Sequence, residues 1–148
     1  MVKVIAIDID GVLDIYGDFF QLSIPAWQKM GAKVGIITSR LESDKKAVAE
    51  VLEKVGLKMD FLAFMPDDFQ NKQIPHGVWK AILCRVMKVD ILFDDMQRDD
   101  PTFIADFVEI VKTTKVFTPV EYGSQRDANS KTAVDYAEEM IELLQGKE

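Results

Sequence analysis

The chain has 148 residues, of which 48% are hydrophobic and 29% charged, enough apolar matter for one compact core and too little length for two. Its net charge of −7 excludes a broad electrostatic grip on duplex nucleic acid, which takes a basic surface. The one cysteine, Cys84, excludes a disulfide framework or a cysteine metal site within the chain.

The first apolar run, residues 2–9, is rich in Val and Ile and ends in Asp8-Ile9-Asp10-Gly11. It is too short, and too broken by Asp8, for a signal peptide, and no later stretch has the length of a membrane span. The cytoplasm is the expected compartment. A short helix is expected at residues 26–30, stopped by Gly31, and a second strand at residues 33–38. Ala47, Val48, Val51, Leu52 and Val55 then repeat at helical spacing, with Ser43 as cap and Gly56 as stop. A strand at residues 61–65 leads into a polar loop at 67–75. Val78, Ile82 and Val86 make the next helical stripe, around a Cys84 that reads as a buried thiol. A strand at 89–93 follows. Asp100-Pro101 opens a helix carrying Phe103, Ile104, Phe107, Val108 and Val111 on one face. A strand at 115–118, a loop at 123–130 and a closing helix through Val134, Ala137, Ile141 and Leu144 complete the chain.

Strands that alternate with helices, and that mostly lack polar alternation themselves, imply an α/β fold. The expectation is a Rossmann-like three-layer sandwich with a central parallel sheet of about five strands, in one domain spanning residues 1–148. In such a sheet all strands point one way, so the residues that end them share an edge. Ligands bind at that edge where the strand order reverses. Asp8 and Asp10 end the first run, Thr38, Ser39 and Arg40 the second, and Asp94 and Asp95 the fourth, with Asp99 a turn further on. So many carboxylates on one rim repel one another unless a cation joins them. With oxygen donors alone, Mg²⁺ is the first choice, and it commonly completes its shell with phosphate oxygens. A phosphorylated substrate follows.

Asp8-Ile9-Asp10-Gly11-Val12 after strand one, Thr38 within IITSR, a downstream lysine, and Asp94-Asp95 extended by Asp99 resemble the four motifs of the haloacid dehalogenase superfamily, the aspartate-nucleophile phosphatases. The resemblance implies an enzyme, a Mg²⁺-dependent phosphomonoester hydrolase working through an aspartyl-phosphate. It makes Asp8 the nucleophile and Asp10 the general acid and base, with Thr38 bonding the transferring phosphoryl group. Arg40, with Ser39 and Gly11, would hold substrate phosphate. Lys72 has the better spacing for the motif lysine, and Lys80 is the fallback. Asp8, the Asp10 carbonyl and Asp95 would ligate the metal, oriented by Asp94 and Asp99.

Many members of that superfamily carry a cap domain between the first two motifs or just after the second. Thirty residues separate Asp8 from Thr38 and 34 separate Thr38 from Lys72, so no cap fits, and residues 14–22 are left as a small flap. The order and spacing of TSR, Trp79-Lys80 and Asp94-Asp95 are similar to the 3′-phosphatase domain of polynucleotide kinase-phosphatases. That implies a nucleic-acid 3′ end or a nucleotide as substrate. Capless sugar-acid phosphate phosphatases, closed by oligomerisation, are the alternative, and homo-oligomers fit an open site. Two readings of another class also stand. A phospho-acceptor receiver domain would need its aspartate after strand three, where the chain has Met65-Pro66. A catalytically dead binding module would not need Asp8, Asp10 and Asp94-Asp95 intact.

Overall fold

The structure, a computed structural model, describes residues 2–95 and 103–118. Asp99, the Asp100-Pro101 helix start, the loop at 123–130 and the closing helix lie outside the described residues. Among the described residues five strands form, β1 (Val4–Ile7), β2 (Lys33–Leu41), β3 (Phe61–Met65), β4 (Ile91–Phe93) and β5 (Lys115–Phe117). They make one sheet in the order β3-β2-β1-β4-β5, and every neighbouring pair is parallel. The helices are α1 (Gly17–Lys29), α2 (Lys45–Lys54), α3 (Asp67–Asn71), α4 (His76–Val86) and α5 (Phe103–Ile110). Among the described residues no helix is long and apolar enough to cross a membrane.

Two cores lie on either side of the sheet. On one face Phe20, Ile24 and Trp27 of α1 and Val48 and Leu52 of α2 pack on Ile5, Ile7, Val34, Ile36 and Phe93. On the other, Ala81 and Cys84 of α4 and Phe107 of α5 pack on Ala6, Ile37 and Leu92. Ile5, Ala6 and Ile7 are all fully buried, which is why their run lacks alternation: both faces are covered. The result is the three-layer α/β sandwich that the pattern of elements implies. Gly35 lets β3 lie close, since a Cβ there would collide with the ring and carbonyl of Phe61.

The chain runs outward from β1 to β2 and β3, then returns to place β4 on β1's other side. The carboxyl ends of β1 and β4 therefore flank the point where the strand order reverses. Beneath it sits an aromatic cluster. Phe93 stacks on Trp27 at 5.6 Å and on Phe117 at 5.3 Å, and meets Phe20 edge-on at 5.2 Å. Such rings add rigidity as well as burial under the residues that follow β4.

Four local expectations are corrected. The helix expected at residues 26–30 begins at Gly17, so most of the supposed flap at 14–22 is helix, with Phe20 fully buried. The apolar spacing of Phe20, Ile24 and Trp27 wins over Pro25, which removes one helical N–H. The loop at 67–75 contains α3. Ser43 lies in a single tight turn, Glu42–Asp44, and no side chain caps α2. In α4 the stripe is rotated: Gly77, Lys80, Ala81 and Cys84 face the sheet, while Val86 is 72% exposed and Ile82 40%. Gly77, Ala81 and Cys84 take the positions that the expected stripe gave to Val78, Ile82 and Val86.

Candidate active site

The register carries the site. Ile7 pairs with both Ile36 and Phe93, so Asp8 and Asp94 stand one step beyond a matched pair, side by side. The Asp8 N–H donates to the Phe93 carbonyl at 2.9 Å, and the Asp94 N–H to the Phe117 carbonyl at 3.0 Å. These bonds extend the ladder by one residue and fix both aspartates. Period-two alternation then turns both side chains to the face of Ala6 and Leu92, which is the face covered by α4.

From α4, Lys80 reaches down to meet them. Its Nζ lies 2.6 Å from Asp94 Oδ2 and 3.0 Å from Asp8 Oδ2. Lys80 is 3% exposed, Asp8 4% and Asp94 1%. Burial opposes the lysine's charge, but Asp94 and Asp8 outweigh it and hold the ammonium above the ordinary lysine range. Asp94 is pushed up to about 7, first by burial and then by the like charge of Asp8 and Asp95, against the pull of Lys80. One lysine bridges two carboxylates. Asp8, Asp94 and Asp95 each offer an oxygen, all within 4.8 Å of one another. Asp94 Oδ1 is buried with no hydrogen-bond partner. A buried carboxylate oxygen left bare is costly. A divalent cation would satisfy it, and the donor set, oxygen only, fits Mg²⁺.

The turn after β1 shapes the other side. Asp10 is extended and Gly11 has φ +78, a left-handed conformation that glycine adopts without strain. The N–H of Gly11 donates to Asp14 Oδ1 at 2.8 Å, which ties the turn back on itself. Asp8 Oδ1 accepts from the Ile9 N–H at 2.8 Å. The carboxylate of Asp10 points elsewhere: Arg40 grips it through Nε at 2.9 Å and Nη2 at 2.7 Å. The fork raises the guanidinium's pKa, mainly through the Asp10 hydrogen bond. Both partners are open to water, at 38% and 58% exposure, so the pair is cheap to separate.

Thr38, Ser39 and Arg40 lie within β2, not beyond its end. β2 leaves β1 after Ile36 but continues on β3, and its register shifts between Thr38 and Leu41. Such an irregularity re-aims side chains. Thr38 is buried, its hydroxyl accepts from the Arg40 N–H at 3.2 Å, and its carbonyl accepts from Trp79 Nε1 at 3.3 Å. Ser39 Oγ is buried without a hydrogen-bond partner.

The lysine with the better spacing stands apart from the carboxylate cluster. Lys72 sits past the end of α3, 63% exposed, bridged to Asp68 at 2.9 Å. The fallback, Lys80, is the one brought to the carboxylates. Its signal was phase: Gly77, Lys80 and Cys84 share the sheet-facing stripe of α4, and spacing from the other motifs ignores that. Asp14 is the residue the sequence reading missed. Asp99 lies outside the described residues. The sequence matches no protein-family model and no curated protein.

Proposed function

We propose that the chain is a Mg²⁺-dependent phosphomonoester hydrolase of the haloacid dehalogenase type, with Asp8 as nucleophile. The observation that carries this reading is the buried Asp8–Lys80–Asp94 bridge at the strand-order reversal, with Asp95 beside it and one Asp94 oxygen bare. A salt bridge made only for stability would pair its charges and leave nothing over. This one has an excess of carboxylate aimed at one spot.

Asp8 attacks phosphorus, the bond from phosphorus to the ester oxygen breaks, and the leaving oxygen takes a proton from Asp10 to depart as an alcohol. Asp10, now a carboxylate, takes a proton from water, whose oxygen attacks the aspartyl-phosphate. Inorganic phosphate leaves and Asp8 is restored. Lys80 holds the Asp8 carboxylate and offsets its charge against the incoming dianion. Asp8, Asp94 and Asp95, with the Asp10 carbonyl, would hold the metal; when bound, it supplies screening between the phosphate and the nucleophile. For Asp10 to act, Arg40 must release it. A phosphate dianion is the natural exchange partner for a guanidinium fork, so substrate binding frees the acid it needs.

The resemblance puts a nucleic-acid 3′ end or a nucleotide first among substrates, and a sugar or sugar-acid phosphate second. Hydrolysis of p-nitrophenyl phosphate, with and without Mg²⁺, tests the reaction class. Wild type should be active only with metal, and Asp8→Asn should lose turnover while keeping its fold. An Asp8→Asn enzyme with most of its activity removes the nucleophile from the scheme.

A further inference from the structure

Asp10 stands apart from the buried carboxylates. Its side chain is 58% exposed, and Arg40 must release it before it can serve a leaving group. Once released, it can take only the rotamers that its own backbone dihedrals allow. Asp10 has φ −72 and ψ 124, and Gly11 has φ 78 and ψ −1. Those are the angles of the two central residues of a type II turn. The related type I turn differs by a flip of the peptide between them, which would bring Asp10 to helical dihedrals. Glycine adopts either form readily, so the turn residues themselves do not choose.

That choice falls to Asp14. The peptide units before and after Asp10 fix its φ and ψ, and Asp14 is bonded to both. Its N–H donates to the Ile9 carbonyl, in the unit before, at 3.1 Å. Its Oδ1 accepts from the Gly11 N–H, in the unit after, at 2.8 Å. The second bond belongs to the type II form, because the flip carries the Gly11 N–H to the other side of the turn. A carboxylate is a strong acceptor for a backbone N–H. Asp14 is itself exposed and belongs to neither core, so the bond shapes the turn without supporting the sheet.

We infer that Asp14 is a positioning residue for the general acid: by holding the Gly11 N–H it keeps Asp10 in the extended form from which its carboxyl serves the leaving oxygen. This rests on the phosphohydrolase reading and adds to it the residue that aims its acid. The acid gives its proton to the departing oxygen, and the need for that proton grows with the basicity of the leaving group. An Asp10 that moves between two turn forms therefore slows esters of basic leaving groups most. A carboxylate that only stabilised the fold would slow every ester alike, or none.

The test is kcat/KM, which reads only the steps through the first transfer, for phenyl phosphate and p-nitrophenyl phosphate with Mg²⁺ in excess. The two esters are alike in shape, but nitrophenolate departs without a proton and phenolate leaves far better with one. Asp14→Ala should lower the phenyl-to-p-nitrophenyl ratio about fivefold. Asp14→Asn, which keeps an oxygen for the Gly11 N–H, should restore most of that ratio, and both variants should melt near the wild type. An unchanged ratio in Asp14→Ala, equal losses on both esters, Asp14→Asn as damaging as Asp14→Ala, or a wild type that cleaves the p-nitrophenyl ester alone overturns the positioning role while leaving the hydrolase standing. No turnover of either ester by the wild type overturns the hydrolase and the positioning role with it.

Discussion

The two edges of the sheet use the same residue for opposite ends. At the amino edge, Asp90 precedes β4 and accepts from the N–H groups of Lys3 and Val4 at 2.7 and 3.0 Å. Asp60 precedes β3 and repeats the device, accepting from the Val34 N–H at 2.8 Å and Gln28 Nε2 at 3.1 Å. Each carboxylate ties its own strand to the start of the neighbouring one, and its charge is met by neutral N–H donors, two backbone groups at Asp90 and one backbone group with a side-chain amide at Asp60. At the carboxyl edge, Asp8 and Asp94 share one lysine with Asp95 close by, and Asp94 keeps a buried oxygen with no partner. An aspartate before a strand staples the sheet; one after it, at the order reversal, is buried among like charges with an oxygen left bare.

Removing the lysine breaks the contrast hardest. Lys80→Met leaves Asp8 and Asp94 buried without their cation and should cost about 3–5 kcal/mol, read as a fall in the denaturant midpoint; a loss under about 1 kcal/mol would mean the bridge is not buried as described. The acidic edge should also show in pH. Asp94 is raised to about 7 in the folded chain, whereas in the unfolded chain it titrates near pH ~4. The folded state thus binds a proton that the unfolded state releases. The stability this brings is complete below about pH 4 and is lost as pH rises toward 7. Metal-free protein should therefore melt at lower temperature across that window, and Mg²⁺ should flatten the trend; a melting temperature that climbs instead contradicts the crowding.

The amino edge should answer differently. Asp90→Ala abandons two backbone donors and should cost about 1–3 kcal/mol, with kcat unchanged in the folded fraction. A fall in kcat there would mean the edges are not separable. The smallest effect belongs to Lys72→Ala. It removes an exposed pair with Asp68 worth no more than about 0.5 kcal/mol, and hydrolysis should proceed at the wild-type rate; a large activity loss would return Lys72 to the site.

The sheet was legible because burial on both faces leaves unbroken apolar runs: β3 falls on residues 61–65 as expected, β1, β4 and β5 are trimmed at their ends, and β2 runs on past residue 38 to Leu41. β1 is shorter than its apolar run because Asp8 and Ile9 already belong to the turn. The aspartates were legible too, since parallel strands bring their carboxyl ends together whatever the details. Helix phase was not. Val78, Ile82 and Val86 look like a core stripe, yet the sheet takes the smaller Gly77, Ala81 and Cys84 and with them Lys80. Nor was the Asp10–Arg40 fork legible, because it spans 30 residues and depends on a register shift in β2 that no local pattern announces. The α2 stripe misled in another way, since Val51 and Val55 are apolar at positions the fold leaves exposed.

The central claim is that Asp8 carries the phosphoryl group. Acid-quenched enzyme, mixed with a phosphate ester and Mg²⁺ and mapped by peptide mass spectrometry, tests it directly. One added phosphoryl group is expected on the peptide that contains Asp8, absent in Asp8→Asn. Steady turnover with the label on another residue, or on none at any quench time, would contradict it.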